Sequence, residues 1–140
     1  MNRQLEDTRE DEIKQEDEIY RENILDHYRN PHNSRILKDP DISRIEFNPL
    51  CGDQIHLFLK IQNGSIRDAA FQGIGCAISQ ASASMLTDRV KGMPLDQAKR
   101  MGREDIVSML AIPISAVRMK CASLSLKALH NGIEEWENKK

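Results

Sequence analysis

The three cysteines of this 140-residue chain are its first candidates for chemistry, because each stands beside residues that favour a turn or a helix start. Cys51 precedes a Gly-Asp pair, Cys76 follows Gly-Ile-Gly, and Cys121 follows Lys120 at the head of a helical pattern. We expect thiols in such places to be accessible. Asp53 adds an oxygen ligand close to the first cysteine. These residue types indicate a site for metal or sulfur chemistry.

The neighbours of the second and third cysteines favour the ionised thiolate. Cys76 stands at a predicted helix amino terminus, where unpaired amides and the helix dipole stabilise a negative charge. Lys120 would stabilise the thiolate of Cys121, since a protonated ammonium cannot itself bind a metal. Three thiolates and the Asp53 carboxylate make a four-ligand set that suits zinc, and soft sulfur ligands also suit iron–sulfur clusters.

The spacing of these ligands is by itself a weak signal. Successive cysteines are 25 and 45 positions apart, so the thiols can meet only through tertiary folding, unlike those of a zinc finger. The alternative is that the three thiols are buried as small apolar side chains. The histidines occupy predicted polar positions and are interpreted as surface residues, with His27 or His32 available to help a partner dock.

Composition and charge exclude several classes of protein. The length and the 39% apolar content suit one domain with one modest core. Residues 1–19 carry eight acids against three bases, and the rest of the chain carries fourteen acids against seventeen dispersed bases. This pattern indicates no nucleic-acid partner. Because no apolar run is long enough to span a membrane and no secretory signal is recognisable, we expect a cytoplasmic protein without a membrane partner.

The hydrophobic alternation predicts a small antiparallel sheet. Apolar residues on every second position predict a strand over 54–62, with its alternate side chains facing solvent. Asn63-Gly64 predicts a tight two-residue turn, and 65–71 is the returning strand. Residues 44–47 supply a third strand.

Helical periodicity accounts for most of the remaining chain. The predicted helices are 17–29, 77–91, 95–101, 104–110 and a terminal helix whose apolar face runs from Ala122 to Trp136. Residues 1–16 are too polar and acidic to pack, so we expect an acidic extension followed by one domain over 17–140. The fold class is therefore α+β, with a three-stranded antiparallel sheet covered by helices.

The residues around the cysteines also carry a family resemblance. The three motifs are Asn-Pro-Leu-Cys-Gly-Asp at 48–53, Gly-Ile-Gly-Cys-Ala-Ile-Ser-Gln-Ala-Ser-Ala-Ser-Met at 73–85, and Arg-Met-Lys-Cys-Ala-Ser-Leu at 118–124. Together with the segment 20–33, they resemble the IscU/SufU/NifU-amino-terminal family over residues 18–137.

This resemblance implies the same α+β fold and a role in iron–sulfur cluster assembly. In that family a cysteine desulfurase delivers persulfide sulfur, and a transient cluster, here expected to be 2Fe–2S, passes to apo acceptor or carrier proteins. Cys51, Cys76 and Cys121 match the family's cluster-binding thiols, with Cys51 and Cys121 as candidate persulfide acceptors. Asp53 matches its aspartate, and these four positions hold zinc in the cluster-free form.

Two features point to different branches of the family. Lys120 stands where IscU-type scaffolds have histidine, as in SufU-type proteins, yet the long insertion that zinc-dependent SufU proteins carry before the third cysteine is absent. Residues 114–118 also differ from the Leu-Pro-Pro-Val-Lys segment that IscU proteins offer to an Hsp70 chaperone.

Three functional hypotheses follow from the resemblance and the residues. The leading one is a non-enzymatic cluster scaffold. The alternative is a zinc-dependent sulfurtransferase that stimulates a desulfurase, and a purely structural zinc module ranks third because such sites close with cysteine or histidine rather than a carboxylate. Homodimerisation around a shared cluster is left open.

Overall fold

The computed structural model describes residues 21–139 of the chain. The first helix, α1, is described over residues 21–29. It is followed by β1 (Ile42–Asn48), β2 (Asp53–Gln62), β3 (Ser65–Ile74), α2 (Ala77–Val90), α3 (Leu95–Arg100), α4 (Arg103–Leu110), α5 (Ala116–Ala122) and α6 (Leu124–Asn138). The α+β class with a three-stranded sheet is confirmed, whereas residues 1–20, and with them the acidic extension and the predicted start of α1, lie outside the described residues.

The sheet is antiparallel in the order β1-β2-β3. Its hairpin between β2 and β3 turns at Asn63 and Gly64, both with positive φ (53° and 75°), as a two-residue turn of that composition requires. β3 extends to Ile74, beyond the predicted end at residue 71, because Gly73 and Ile74 still pair with the start of β2. This longer strand leads directly to Cys76.

One face of the sheet is covered by helices, and that layer forms the core. Ile55, Leu57 and Leu59 of β2 are buried with the apolar faces of α2 and α6. α6 packs over β1 and β2, and α2 packs over β3. On the opposite face a small cluster of Leu37, Phe58 and Ala70 is buried. Within the described chain no helix has the length and apolar character that crossing a membrane requires.

Helix α2 is buried almost all round because its side chains are small. Its nine consecutive residues 79–87 are all buried. The buried hydroxyls are satisfied, since Ser82 Oγ donates to the carbonyl of Ala122 at 2.6 Å and Thr87 Oγ1 donates to the carbonyl of Ala83 at 2.9 Å. The Ser82 contact joins the centre of α2 to the end of α5, the helix that carries Cys121.

The predicted terminal helix is present as α6, but the sequence prediction missed the short helix α5 that precedes it. Ser115 caps α5 by accepting a hydrogen bond from the amide of Arg118 at 3.3 Å. Ser123 ends α5 and begins α6. Cys121 therefore lies in the last turn of α5 and not at the head of a helix.

Polar contacts fasten α1 and the following loop to α2. His27 Nδ1 is 2.7 Å from Ser84 Oγ, and the amide of His32 donates to the same hydroxyl at 2.8 Å. His32 Nδ1 also lies 2.5 Å from Asp88 Oδ2, and the side-chain amide of Asn33 donates to the other carboxylate oxygen, Asp88 Oδ1, at 2.9 Å. Both histidines therefore contact α2; His32 is exposed, as the sequence predicts, whereas His27 is half-buried.

Gly132 of α6 marks the closest approach of that helix to β1. A Cβ atom there would lie 2.7 Å from Ile42 Cγ2, and Ile42 is a buried, branched side chain with little room to move. We expect Gly132→Ala to lower the free energy of unfolding by about 1 kcal/mol, since overpacking costs about 1–3 kcal/mol and the gain in helix propensity is about 1 kcal/mol. Urea titration of both proteins measures the change. An increase in stability would contradict this packing.

Candidate functional site

The turn between β1 and β2 presents the first thiol. Asn48 and Asp53 form the last pair of the β1–β2 ladder, and Gly52 accommodates a positive φ of 68° between them. The amide of Cys51 donates to the carbonyl of Asn48 at 3.3 Å, and the amide of Leu50 donates to the Asn48 side chain at 3.2 Å. These bonds hold Cys51 at an exposed corner of the turn.

Cys76 is the amino-terminal cap residue of α2, as the sequence predicts. Its amide donates to Asp53 Oδ1 at 2.8 Å, and its Sγ lies 3.6 Å from Asp53 Oδ2. Gly75 immediately before it has a φ of 140°, a region that side chains rarely adopt. The connection between β3 and α2 therefore packs directly against Asp53.

Cys121 completes the site from α5 and is fully buried, so the prediction that all three thiols are accessible was wrong for this one. Its Sγ lies 2.9 Å from the Sγ of Cys51. The side-chain amide of Asn48 donates to the same sulfur at 3.7 Å. Asn48 therefore contacts both the β1–β2 turn and α5, a role that no pattern in the sequence indicates.

The four predicted ligands are brought together, but not in one equivalent set. Cys51, Asp53 and Cys121 place one ligand atom each within 4.8 Å of one another. Cys76 is outside this group and joins it through Asp53. Two sulfurs bound to one tetrahedral zinc at about 2.3 Å stand about 3.8 Å apart, so the pair at 2.9 Å must widen to bind a metal.

Asp53 is the clearest sign that the site suits a cation. Its carboxyl group is fully buried, and its hydrogen-bond contacts are Cys76 and Cys121. Within residues 21–139 no lysine, arginine or histidine forms an ion pair with it. A buried carboxylate without a positive partner is costly, and a metal ion held with the adjacent thiolates would supply that charge. The donor set therefore fits zinc or iron.

The surroundings of Cys121 favour its neutral thiol until a cation is present. Burial raises the pKa of this thiol well above its usual range, and hydrogen bonds with Cys51 and Asp53 and the negative charges of Cys76 and Asp53 act in the same direction. Lys120 is exposed and is not among the groups that shift this pKa. Its assignment as a thiolate stabiliser stays a prediction.

Comparisons with known proteins agree with this fold and cysteine arrangement. The NifU-like N terminal domain model matches residues 19–140. The zinc-dependent sulfurtransferase SufU of Bacillus subtilis is 38% identical over 86% of this chain and 93% of its own. The iron–sulfur cluster assembly scaffold protein IscU 1 of Archaeoglobus fulgidus is 31% identical over 86% of this chain and 78% of its own.

A solved structure supports the same relationship. The amino-terminal part of a NifU-like protein from Brucella abortus superimposes with a TM-score of 0.73 and 26% identity, covering 89% of this chain and 98% of that one.

The alignment lengths bear on the missing insertion. The SufU alignment runs over 138 positions although it covers only 86% of this 140-residue chain, whereas the IscU 1 alignment needs 121 positions for the same share. The SufU relative thus carries residues that have no counterpart here. The matched family model and these identities show that the chain belongs to the NifU-like N-terminal domain family.

Proposed function

We propose that this protein is an iron–sulfur cluster assembly scaffold that accepts sulfur from a cysteine desulfurase and builds a transient cluster, expected to be 2Fe–2S, on Cys51, Cys76 and Cys121. The observation that carries this proposal is the fully buried carboxyl of Asp53, which contacts thiols and has no cationic partner among residues 21–139. Family membership and the scaffold names of several relatives support it.

The thiols of Cys51 and Cys121 differ in solvent accessibility, and this difference gives them different roles in sulfur transfer. Cys51 is exposed and can meet a partner, whereas Cys121 is buried behind it at 2.9 Å. The Cys51 thiolate attacks the outer sulfur of the donor's persulfide, the donor's S–S bond breaks, and the donor leaves as a thiolate while Cys51 carries the new persulfide. Cys121 lies within reach of that sulfur as a second acceptor.

Asp53 gives the site one ligand that differs from the thiols. A carboxylate oxygen is a harder ligand than a thiolate sulfur and dissociates more readily from iron. A cluster held by Asp53 would therefore have one exchangeable ligand position, from which an acceptor can take it. Its two hydrogen bonds with Cys76 orient the carboxyl toward the thiols. Apo acceptor or carrier proteins in the cytoplasm are the expected recipients.

One observation favours a second candidate function, in which a zinc-dependent sulfur-transfer protein accepts persulfide sulfur from a cysteine desulfurase and stimulates that enzyme. The relative with 38% identity bears the name zinc-dependent sulfurtransferase. In that case Cys51, Asp53 and Cys121, with Cys76 beside Asp53, would hold the ion, and zinc would supply charge stabilisation for the thiolates. The two functions share their residues and differ in whether iron is retained.

An anaerobic assay separates the two candidates. The protein is incubated with cysteine, a desulfurase and ferrous iron, and visible absorption and desulfurase turnover are followed together. Scaffolding predicts a cluster spectrum whose iron and sulfide remain with the protein after gel filtration. Faster desulfurase turnover without retained iron would instead establish sulfur transfer, and the absence of both responses would leave the structural zinc module.

Replacing the carboxylate tests its proposed role in release. We expect Asp53→Ala to lengthen the lifetime of the assembled cluster, because the remaining ligands are thiolates that exchange more slowly. The decay of visible absorption in the presence of a chelator measures this lifetime. Asp68→Ala is the matched control, since Asp68 pairs with Arg35 on another part of the sheet. Equal cluster lifetimes in the Asp53→Ala variant and the natural protein would mean that Asp53 has no role in cluster release.

A further inference from the structure

A groove lies beside the thiol site and is open to a second polypeptide segment. Its volume is about 670 Å³, and its apolar lining includes Phe47, Pro49, Met119 and Leu124. Phe47 is 54% exposed, which is high for so large an apolar side chain. Asn48 also lines the groove and donates to Cys121 Sγ, so whatever occupies the groove borders the site.

The groove is positively charged. Arg103, Lys120 and Lys127 line it, and among the described residues no acid does. Arg103 and Lys120 are exposed and form no ion pair with any residue of the described range 21–139. Lys127 has a distant contact with Glu46 at 3.8 Å and a side chain that is 61% exposed, so this pair neutralises little. The groove therefore suits an acidic segment that also carries apolar residues.

The chain itself contains a segment of that chemistry. Residues 1–19 carry eight acids against three bases, and Leu5, Ile13 and Ile19 are spaced among the charges. The body that follows has the opposite balance, fourteen acids against seventeen bases. Charge and apolar content are thus complementary between this segment and the groove.

The acidic segment precedes α1 in the chain, and α1 lies close to the groove. Asn23 of α1 and Met109 of α4 line one depression on the surface. Arg103, six residues before Met109 on the same helix, lines the groove, and six helical residues span about 9 Å. Nineteen residues can extend up to about 60 Å, so their length does not limit contact with the groove.

We propose that the acidic segment 1–19 binds in the groove formed by α4, α5 and the β1–β2 turn of its own chain, beside the thiol site. The carboxylates pair with Arg103, Lys120 and Lys127, and apolar residues of the segment contact the exposed face of Phe47. Because the contact depends on exposed charges, salt weakens it.

Carbodiimide crosslinking of the full-length protein tests this contact directly, since the reagent joins a carboxylate to an amine only when the two touch. At low ionic strength we expect isopeptide links from acids of the segment to Lys120 and Lys127, located by mass spectrometry. Lys60 is the internal control, because it lies at the far end of β2, about 23 Å from Asp53. Mixing isotope-labelled and unlabelled protein distinguishes links within one chain from links between two copies.

A charge swap provides the matched control. Arg103→Glu with Lys127→Glu should reduce the link to Lys120 about fivefold, as expected for the loss of two exposed ion pairs, and adding Glu10→Lys and Glu12→Lys should restore it. Circular dichroism verifies that each variant is folded. Links spread equally over Lys120, Lys127 and Lys60, links only between labelled and unlabelled chains, or no links from the segment would overturn the proposal. None of these outcomes depends on whether the thiols assemble a cluster.

Discussion

Gly75→Ala is expected to weaken zinc binding while leaving most of the fold in place. The added Cβ would lie 2.8 Å from the Cγ of Asp53 and 2.9 Å from its Cα, and closer still to Oδ1. Since one of these atoms belongs to the backbone of β2, rotation of a side chain cannot relieve the contact. The β3–α2 passage must move away from Asp53, which breaks the bond between the Cys76 amide and Oδ1. We expect zinc affinity, measured with a chromogenic chelator, to fall about 10- to 100-fold.

Gly92→Ala is the matched control for this substitution. Gly92 also has a positive φ, 82°, but an added Cβ meets nothing within 4 Å and the residue lies at the other end of α2. Backbone strain should cost each variant about 1–2 kcal/mol of stability, and the contact with Asp53 should cost Gly75→Ala about 1–3 kcal/mol more. Only Gly75→Ala should lose zinc affinity. Equal zinc affinities in the two variants would mean that the contact between Gly75 and Asp53 does not position the site.

Cys121→Ser is expected to prevent stable cluster assembly with little change in the fold. The substitution keeps a small buried donor at the end of α5 but replaces a soft sulfur ligand with a hydroxyl that does not ionise in this setting. We expect the amount of cluster retained after gel filtration to fall at least about 100-fold. Desulfurase turnover, measured in the same samples, reports whether Cys121 also accepts sulfur.

A second substitution separates the chemistry of Cys121 from its packing. Cys121→Ala removes the sulfur and places no polar group in the buried site; because Asn48 loses the acceptor of a long hydrogen bond, stability should fall by about 1 kcal/mol. Both variants should fail to retain iron. Cluster retention by either folded variant would exclude Cys121 from the ligand set.

The parts of the fold that sequence patterns predicted well are those set by local chemistry. Asn63-Gly64 is suited to positive φ at two consecutive positions, and the structure turns there. Cys76 was expected at a helix start because small and polar residues follow a glycine pair, and it caps α2. Such features depend on a few neighbouring residues, so one sequence suffices to identify them.

Burial at the site was less well predicted because it depends on tertiary packing. Cys121 was expected to be accessible at a helix start, yet α5 ends there, its last residue Ala122 is bonded to Ser82 of α2, and Cys121 is fully buried. The apolar periodicity of α6 is strong, and it concealed the short α5 that precedes Ser123. No local pattern distinguishes one helix with an early start from two helices joined at a serine.

A usable signal did exist for Asp53. The alternation that buries Ile55 and Leu57 places residue 53 on the same face of β2, so extending the pattern by one step predicts a carboxyl group facing the core. Asn48 follows from the same register, because it pairs with Asp53 across the ladder. A buried acid at a strand end beside a cysteine is thus a pattern that can be sought in other sequences.

The site combines three segments that are distant in the sequence, and this arrangement suits a temporary cargo. The β1–β2 turn carries Cys51 at the surface, the start of α2 carries Cys76, and α5 carries the buried Cys121. The exposed thiol of Cys51 can therefore contact a partner protein, while the less accessible thiols of Cys76 and Cys121 keep hold of the cluster.

Cluster transfer tests the central claim most directly. The protein is loaded anaerobically with iron and sulfide, freed of small molecules, and mixed with an apo-ferredoxin while circular dichroism in the visible range is followed. The scaffold function predicts that the cluster signal of this protein decays at the rate at which the ferredoxin signal grows, with iron conserved between them. Ferredoxin that fills at the same rate when Cys121→Ser replaces the natural protein would contradict a cluster assembled on these thiols.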